Sequence, residues 1–173
     1  MARLHLLVGP VAAGKSTFAL QLGQRHRGVH LNLDEWMARL FSPDRPDFGV
    51  MDWYVERTAR CIEQIWRLTT NMIDVGTDVI LEIGLLQRCD RERLYERVDA
   101  RGYDLTVYVL DAPRELRRER VQQRNHEKGE TFSMVVPPHI FELASDMWEP
   151  LDEDECSGRD VRFISTDSSM LDR

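Results

Sequence analysis

Eight residues near the N-terminus decide the fold of this chain: Gly9-Pro10-Val11-Ala12-Ala13-Gly14-Lys15-Ser16. They match the pattern GxxxxGK followed by Ser or Thr, and they lie between the apolar run Leu4–Val8 and a helical pattern that begins at Lys15. Glycines let the backbone curl so that N–H groups point inward, and the start of the helix adds partial positive charge toward a bound phosphate. The segment from Gly9 to Thr17 is therefore predicted to cradle the phosphates of a nucleoside triphosphate.

Two side chains of this segment have predicted roles in nucleotide binding. The ammonium group of Lys15 is expected to reach the β- and γ-phosphates, and the hydroxyl of Ser16 is expected to bind Mg²⁺. The alternative is a tight glycine turn that merely precedes a helix, and the complete pattern in a strand-to-helix context counts against it. ATP and Mg²⁺ are therefore the expected cofactors.

Short apolar runs alternate with helical patterns along the chain. The apolar runs are Leu4–Val8, Val29–Leu33, Val79–Ile83, Leu105–Leu110 and Val161–Ile164. Continuous apolar runs are typical of parallel strands that helices cover on both faces of a sheet. Helices are predicted at Glu35–Phe41, from Met51 to Ile73, at Asp90–Arg101, at Pro113–Asn125 and from Pro138 to Pro150. A single α/β domain spanning residues 1–173 is therefore expected.

The charge balance and the cysteine content restrict the classes of function. The chain has 23 basic and 30 acidic residues, a formal net charge of −7, which counts against nucleic acid or a membrane as a partner. Three widely spaced cysteines, Cys61, Cys89 and Cys156, argue against a disulfide framework and a zinc site. No apolar run approaches the roughly 18 residues of a membrane span. We expect a cytoplasmic protein. The acidic run Asp152–Glu155 is interpreted as a solvated loop.

Two acidic residues lie where predicted strands end. Asp34 follows Val29–Leu33, and Glu82 lies near the end of Val79–Ile83. Ligands of open α/β sheets bind beyond the carboxyl ends of the strands, so both residues are candidates for the site. Asp34 suits the orientation and deprotonation of an acceptor hydroxyl, and Glu82 suits the metal. The alternative for Asp34 is an N-cap of the helix that begins at Glu35, and one residue could fill both roles.

The segment Pro113–Asn125 is the one dense basic patch of the sequence. Its helical spacing places three arginines on one stripe: Arg117, Arg120 and Arg124. Such a stripe can neutralise the charge of a transferring phosphoryl group, and we expect Arg120 and Arg124 to do so. The alternative, a solvated face with local ion pairs, is assigned to Arg114 and Arg118. The polar stretch that follows is predicted to close over the site, which gives a lid at about residues 113–137.

These features together resemble the small P-loop kinases. The resemblance rests on the phosphate loop, on Asp34, on the stretch Leu81–Arg88 and on Glu119–Arg124. This group includes chloramphenicol phosphotransferase, zeta toxin, gluconate kinase and kinase-like ATPases. The resemblance implies a P-loop NTPase three-layer sandwich, with a five-stranded parallel sheet of order 2-3-1-4-5 and an arginine-rich lid.

The resemblance also implies roles for individual residues. It makes Asp34 the base or the group that binds the acceptor hydroxyl, Arg120 a base-stacking residue, Arg124 a phosphate contact and Arg88 a substrate contact. Many relatives have Asp where this chain has Glu82. The chain also lacks the arginine pattern by which nucleoside monophosphate kinases hold the phosphate of their acceptor.

The leading hypothesis is an ATP-dependent kinase that moves the γ-phosphate to a hydroxyl of a small molecule. The alternatives are a kinase of nucleic-acid ends or nucleotide sugars, and a nucleotide-dependent switch or partner-binding ATPase without a small acceptor. A kinase predicts a closed cavity beside Asp34 and Arg88, whereas a switch predicts a flat surface there. Five aromatic residues could line that cavity or pack in the core: Trp36, Phe41, Phe48, Trp53 and Tyr54.

Overall fold

A five-stranded parallel sheet forms the centre of the molecule in the computed structural model, which describes residues 2–129 and 132–167. The strands are β1 Arg3–Val8, β2 Val29–Asn32, β3 Val79–Glu82, β4 Asp104–Asp111 and β5 Asp160–Ser165. Their order is β2-β3-β1-β4-β5, and every neighbouring pair is parallel. This order confirms the predicted fold class.

Helices follow the strands along the chain. They are α1 Lys15–His26, α2 Leu33–Trp36, α3 Val50–Asp74, α4 Arg88–Arg101, α5 Arg114–Glu127, α6 Pro138–Asp146 and α7 Glu153–Cys156. The helix predicted at Glu35–Phe41 begins earlier, at Leu33, and continues as a π-helix over Met37–Phe41 and a 3₁₀ turn over Ser42–Asp44. No helix within the described ranges is long and apolar enough to cross a bilayer.

The sheet buries apolar side chains on both of its faces. Alternate residues of a strand point to opposite sides, so Leu4 and Leu6 of β1 join a core cluster with residues of α3 and α4. Leu7 packs in a second cluster with Ala19 and Leu22 of α1. Helices therefore cover both faces, as the continuous apolar runs predict for parallel strands. The three-layer arrangement is confirmed.

The interpretation of Asp152–Glu155 as a solvated loop is wrong. The side chain of Asp152 caps α7 by accepting the N–H of Glu155 at 2.9 Å. The carboxylate of Glu155 is buried and accepts two hydrogen bonds, at 2.7 and 2.8 Å, from the guanidinium of Arg91 in α4. A buried carboxylate is tolerated when a planar guanidinium satisfies both of its oxygens. The acidic run therefore fastens the segment before β5 to α4.

Candidate functional site

The phosphate loop connects β1 to α1 at the carboxyl edge of the sheet. Gly9 has φ 143°, and a Cβ atom there would lie 2.1 Å from the carbonyl oxygen of Leu110 in β4. Only glycine therefore lets the loop pass this close to the neighbouring strand. Gly14 has φ 92°, in the left-handed region, and it caps α1 with its backbone. Both glycines of the motif are thus required by backbone geometry.

Side chains from other parts of the chain hold the carbonyl groups of the loop. Arg117 donates to Val11 O at 3.1 Å, and the hydroxyl of Thr166 donates to Ala13 O at 2.8 Å. Lys15 donates from Nζ to the carbonyls of Gly9 and Pro10, at 2.9 and 2.8 Å. These contacts from Arg117, Thr166 and Lys15 stabilise the curled conformation of the loop.

The backbone amides at the start of α1 are suited to an anion. The N–H of Phe18 makes the first helical hydrogen bond, to Gly14 O at 3.0 Å. The amides of the three preceding residues, Lys15, Ser16 and Thr17, are those that a helix leaves for an outside acceptor. Burial lowers the pKa of Lys15, although the charges of Glu82 and Asp34 act to raise it. Such a desolvated cation attracts phosphate strongly.

Glu82 lies at the end of β3, and three side chains donate hydrogen bonds to its carboxylate. Ser16 Oγ donates to Oε1 at 2.7 Å, while His30 Nε2 and Asn32 Nδ2 contact Oε2 at 3.0 and 3.1 Å. Burial acts to raise the pKa of Glu82, but the hydrogen bond from His30 and the charge of Lys15 outweigh it and hold that pKa below its usual value. Glu82 is therefore an oriented, ionised carboxylate.

His30 and Asn32 are functional candidates that the sequence analysis missed. In the parallel pairing of β2 with β3, Asn32 lies opposite Glu82 and His30 lies two residues earlier. Residues two apart on a strand share a face, so the alternation His30, Asn32 was the available signal. The sequence alone could not show that these side chains meet Glu82, because that contact depends on the register between β2 and β3.

Asp34 lies within α2 and is not its cap. The N-cap is Asn32, whose Oδ1 accepts the N–H of Glu35 at 3.2 Å. The capping alternative for Asp34 is therefore wrong. Asp34 is exposed to solvent within the cleft, which it lines together with Lys15 and Glu82. Desolvation by the surrounding protein, together with the charge of Glu82, raises the pKa of Asp34, against the effect of Lys15.

The arginine stripe of α5 divides into three different roles. Arg117 is buried and donates to Ala112 O, Val11 O and Ser145 Oγ, so it braces the phosphate loop. Arg120 donates to the hydroxyl of Thr166 at 3.0 Å and to its carbonyl oxygen. Arg120 therefore joins α5 to the residue after β5 that also holds the phosphate loop.

Arg124 is the member of the stripe that faces the two carboxylates. Burial lowers its pKa, while the charges of Asp34 and Glu82 oppose that effect. Its Nε is buried without a hydrogen-bond partner in residues 2–129 and 132–167. A buried cationic donor of this kind is costly unless an acceptor reaches it, and a phosphate oxygen is a suitable one.

The two remaining arginines of this helix are structural. Arg114 pairs with Glu142 and Asp146, and Arg118 pairs with Glu142 and with Glu115. The predicted local pair of Arg118 with Glu115 is present. Both arginines also pair with Glu142, and these ion pairs connect α5 to α6.

A single cleft of about 2230 Å³ contains most of the predicted site. Its lining includes Val11, Ala12, Gly14, Lys15, Ser16, Thr17, Asp34, Glu82, Arg120 and Arg124. Arg88 is not among the described lining residues. Its guanidinium pairs with Glu92 at 2.6 Å and with Asp152. The structure thus brings together the loop, both carboxylates and the two lid arginines, and it leaves Arg88 outside.

The aromatic residues after Asp34 divide between the two expected roles. Trp53 and Tyr54 line the cleft. Trp36 and Phe41 pack against the core, as Tyr54 also does, and Phe48 is exposed outside the cleft. The predicted lid contributes to the cleft through α5 and residues 133–137. Glu130 and Thr131, in the stretch expected to close, lie outside the described residues.

Comparison with known proteins agrees with this geometry. The profile of the AAA domain family AAA_33 matches residues 4–139. The chain belongs to that family. No curated protein sequence matches this AAA domain. The predicted resemblance to small P-loop kinases is confirmed, because both the family and the fold are P-loop kinase-like.

Solved structures share the fold of this AAA domain at low sequence identity. A candidate kinase from Chloroflexus aurantiacus is 18% identical, with a TM-score of 0.73 over 95% of this chain and 85% of that chain. A gluconokinase from Sinorhizobium meliloti is 14% identical, with a TM-score of 0.61 over 94% and 82% of the two chains. Chaetomium thermophilum Kti12, in complex with ADP-AlF3, is 15% identical, with a TM-score of 0.70 over 96% and 91%.

Proposed function

We propose that this AAA domain transfers the γ-phosphate of ATP to a hydroxyl group of a small molecule. The observation that carries the proposal is the position of Asp34. It lines the same cleft as Lys15 and Arg124, and Asn32 caps α2 in its place. Among residues 2–129 and 132–167, no side chain forms a hydrogen bond or ion pair with the carboxylate of Asp34, and such a carboxylate beside a phosphate site is suited to accept the proton of an alcohol.

The nucleotide end of the cleft supplies phosphate and metal contacts. The amides of Lys15, Ser16 and Thr17 and the ammonium of Lys15 would hold the β- and γ-phosphates. The hydroxyl of Ser16 and the ionised carboxylate of Glu82 are hard oxygen ligands of the kind that Mg²⁺ prefers. The metal would neutralise charge on the phosphates when bound. We propose that Glu82 holds the metal, either by direct coordination or through its hydrogen bond with Ser16.

The transfer step uses Asp34 and Arg124. The acceptor oxygen attacks the γ-phosphorus, the bond to the β–γ bridging oxygen breaks, and ADP leaves. The hydroxyl proton passes to the carboxylate of Asp34, whose pKa is raised by desolvation and by the charge of Glu82, which makes it a stronger base than an unperturbed aspartate. Arg124, with its unpartnered Nε, would stabilise the charge on the transferring group. Lid closure by α5 and residues up to 137 would exclude water.

The shape of the cleft favours a kinase over the alternatives. A switch that lacks an acceptor predicts a flat surface beside Asp34 and Arg88; a concave, partly open cleft beside Asp34 supports the kinase, while Arg88 lies outside that cleft. The Kti12 structure shows that the fold also occurs with ADP-AlF3 in a protein not named as a kinase. A nucleic-acid end would require a cationic track, and the net charge of −7 counts against one.

The direct test is a search for a phosphorylated product. The protein is incubated with Mg²⁺-ATP and a library of hydroxyl compounds, and mass spectrometry detects the gain of one phosphate group. A product made by the wild-type protein and not by Asp34→Asn would support the proposal. ATP hydrolysis without any phosphorylated compound, at the same rate in both proteins, would favour the partner-binding ATPase.

A further inference from the structure

The part of the cleft beyond Asp34 has two apolar walls. We infer that the acceptor is an amphipathic alcohol, whose hydroxyl lies at Asp34 and whose apolar body lies between α3 and α6. This inference rests on the proposed function and adds the chemical class of its substrate. It excludes free sugars and sugar acids as preferred acceptors.

The first wall is the N-terminal half of α3. A stripe at helical spacing lines the cleft there: Met51, Tyr54, Val55, Thr58 and Ile62. The C-terminal half of the same helix turns its apolar residues into the core, where Ile65 and Ile73 are buried. Val55 is instead 59% exposed and Met51 is 65% exposed. The apolar stripe of α3 therefore continues past the core and into the cleft.

The second wall is α6 with the residues before it. Its side chains in the cleft also recur at helical spacing: Ile140, Leu143 and Ala144, followed by the C-cap residue Met147 and preceded by Met134 and Val135. Only Phe141 of α6 is buried. Leu143, at 52% exposed, faces the cleft and not the core. Two helices thus present apolar stripes to one space that also contains Asp34.

The charges near these walls do not fit a strongly anionic or sugar-like acceptor. Arg97 pairs with Glu63 at 2.6 Å, and Arg93 pairs with Asp90 at 3.1 Å, so these two lining arginines already have acidic partners. Arg45 also lines the cleft, is exposed and has no ion pair in the described part of the chain, so a single anionic substituent could meet it there. A polyhydroxylated acceptor would lose water at the apolar walls without gaining hydrogen bonds. An apolar body would gain from the same burial.

The nucleotide is not the occupant of these walls. The resemblance to small P-loop kinases places its base end at Arg120, which contacts Thr166 beside the phosphate loop on the β5 side of the sheet. The stripe on α3 follows Asp34, on the side of β2 and β3. The α3 wall therefore flanks the acceptor position, and α6 lines the same cleft from the side of α5.

Two matched pairs of alcohols test the inference: glycerol against hexylglycerol, and glucose against phenyl glucoside. Initial rates of ADP release are measured with Mg²⁺-ATP, and the products are identified by mass spectrometry. We expect the apolar member of each pair to have a KM lower by about tenfold or more, the range over which apolar pockets discriminate. A preference for glycerol and glucose would overturn the inference while leaving the proposed function intact.

Variants on both walls, with a matched control, locate the effect. Val55→Ser and Leu143→Ser should each raise the KM for phenyl glucoside about tenfold with little change in kcat. The control is Val75→Ser, an exposed valine that follows the same helix and lies outside the described cleft lining. If Val55→Ser and Val75→Ser gave the same KM, the apolar walls would not bind the acceptor.

A binding measurement separates this inference from the proposed function. Saturation-transfer NMR detects phenyl glucoside and glucose on the protein bound to a non-hydrolysable ATP analogue. Selective binding of phenyl glucoside that Val55→Ser removes would support the apolar site even if no compound were phosphorylated, and the kinase proposal alone would then fail. Absence of binding by both compounds, or binding that Val55→Ser leaves unchanged, would overturn the inference.

Discussion

The hydroxyl of Ser16 donates a 2.7 Å hydrogen bond to Oε1 of Glu82. This contact joins the first turn of α1 to the end of β3, across 66 positions of sequence. The other carboxylate oxygen is held by His30 and Asn32, so the orientation of Glu82 is fixed before any ligand binds. Both candidate metal ligands thus meet at one point of the carboxyl edge of the sheet.

Lys15→Ala should abolish most of the rise in melting temperature that ATP with Mg²⁺ causes. A ligand that binds only the native state stabilises it by mass action, and Lys15 is the expected contact of the β- and γ-phosphates. Differential scanning fluorimetry over a nucleotide titration measures the shift. Lys128→Ala is the matched control, because Lys128 is the only other lysine and is exposed outside the described cleft lining. An unchanged shift in Lys15→Ala would reject the nucleotide site.

Arg124→Ala should reduce turnover by about 10³-fold, and Arg120→Ala should mainly weaken nucleotide binding. Arg124 is proposed to stabilise the charge of the transition state, so its truncation should remove that stabilisation, as the loss of an arginine finger does. Arg120 contacts Thr166 and is proposed to stack on the base. Steady-state kinetics and nucleotide titrations distinguish the two effects. Arg118→Ala is the control from the same helix, since Arg118 pairs with Glu142. Wild-type kinetics in both variants would make the stripe purely structural.

Asp34→Asn should lower phosphotransfer by roughly 10²-fold or more while it retains ATP binding. The folded-state pKa of Asp34 is raised, so its contribution to stability is lost as the pH rises through that pKa. At neutral pH the neutral amide should therefore leave the melting temperature unchanged or higher. Asn32→Ala should instead cost about 0.5–2 kcal/mol, because it removes the cap of α2. Full transfer activity in Asp34→Asn would contradict the assignment of the base.

The fall of kcat/KM on the acidic side should occur at a pH above the usual pKa range of a carboxyl group. In Glu82→Gln, this fall should shift to lower pH. We propose that the carboxylate form of Asp34 accepts the proton, so activity should fall as the pH drops through its raised pKa. Desolvation and the charge of Glu82 are the causes of that pKa, and the variant removes the second cause. Carbon-13 NMR of the Asp34 carboxyl checks the shift without turnover. Glu92→Gln, which alters an exposed partner of Arg88, should leave this fall at the same pH.

Arg91→Met should destabilise the fold by about 3–5 kcal/mol, because it leaves the carboxylate of Glu155 buried without its partner. Arg97→Met should cost about 1 kcal/mol or less, since its ion pair with Glu63 is largely exposed. Urea unfolding, followed by circular dichroism, measures both. Equal losses in the two variants would contradict the structural role of the Arg91–Glu155 pair.

The sequence by itself determined the phosphate loop, the strands and the chemical candidates. A motif of this kind encodes its own backbone path, because glycines allow the positive φ angles and the adjacent helix starts where the loop ends. Continuous apolar runs identified the strands, because burial acts on nearly every residue of the central strands β1, β3 and β4; the edge strand β5 shares the pattern although none of its residues is buried. The order of the sheet followed from the resemblance to small P-loop kinases and was confirmed.

Only the tertiary structure decided which partner each charged side chain has. Asn32 and not Asp34 caps α2, Glu155 is buried against Arg91, Arg88 is neutralised outside the cleft, and His30 holds Glu82. Local spacing determines which face of a helix or strand a side chain occupies. The partner on the other side of the contact lies tens of residues away, and strand register and helix packing bring the two together. A hydrogen bond or an ion pair requires its atoms within a few ångströms, and that distance is set only when the whole sheet is assembled.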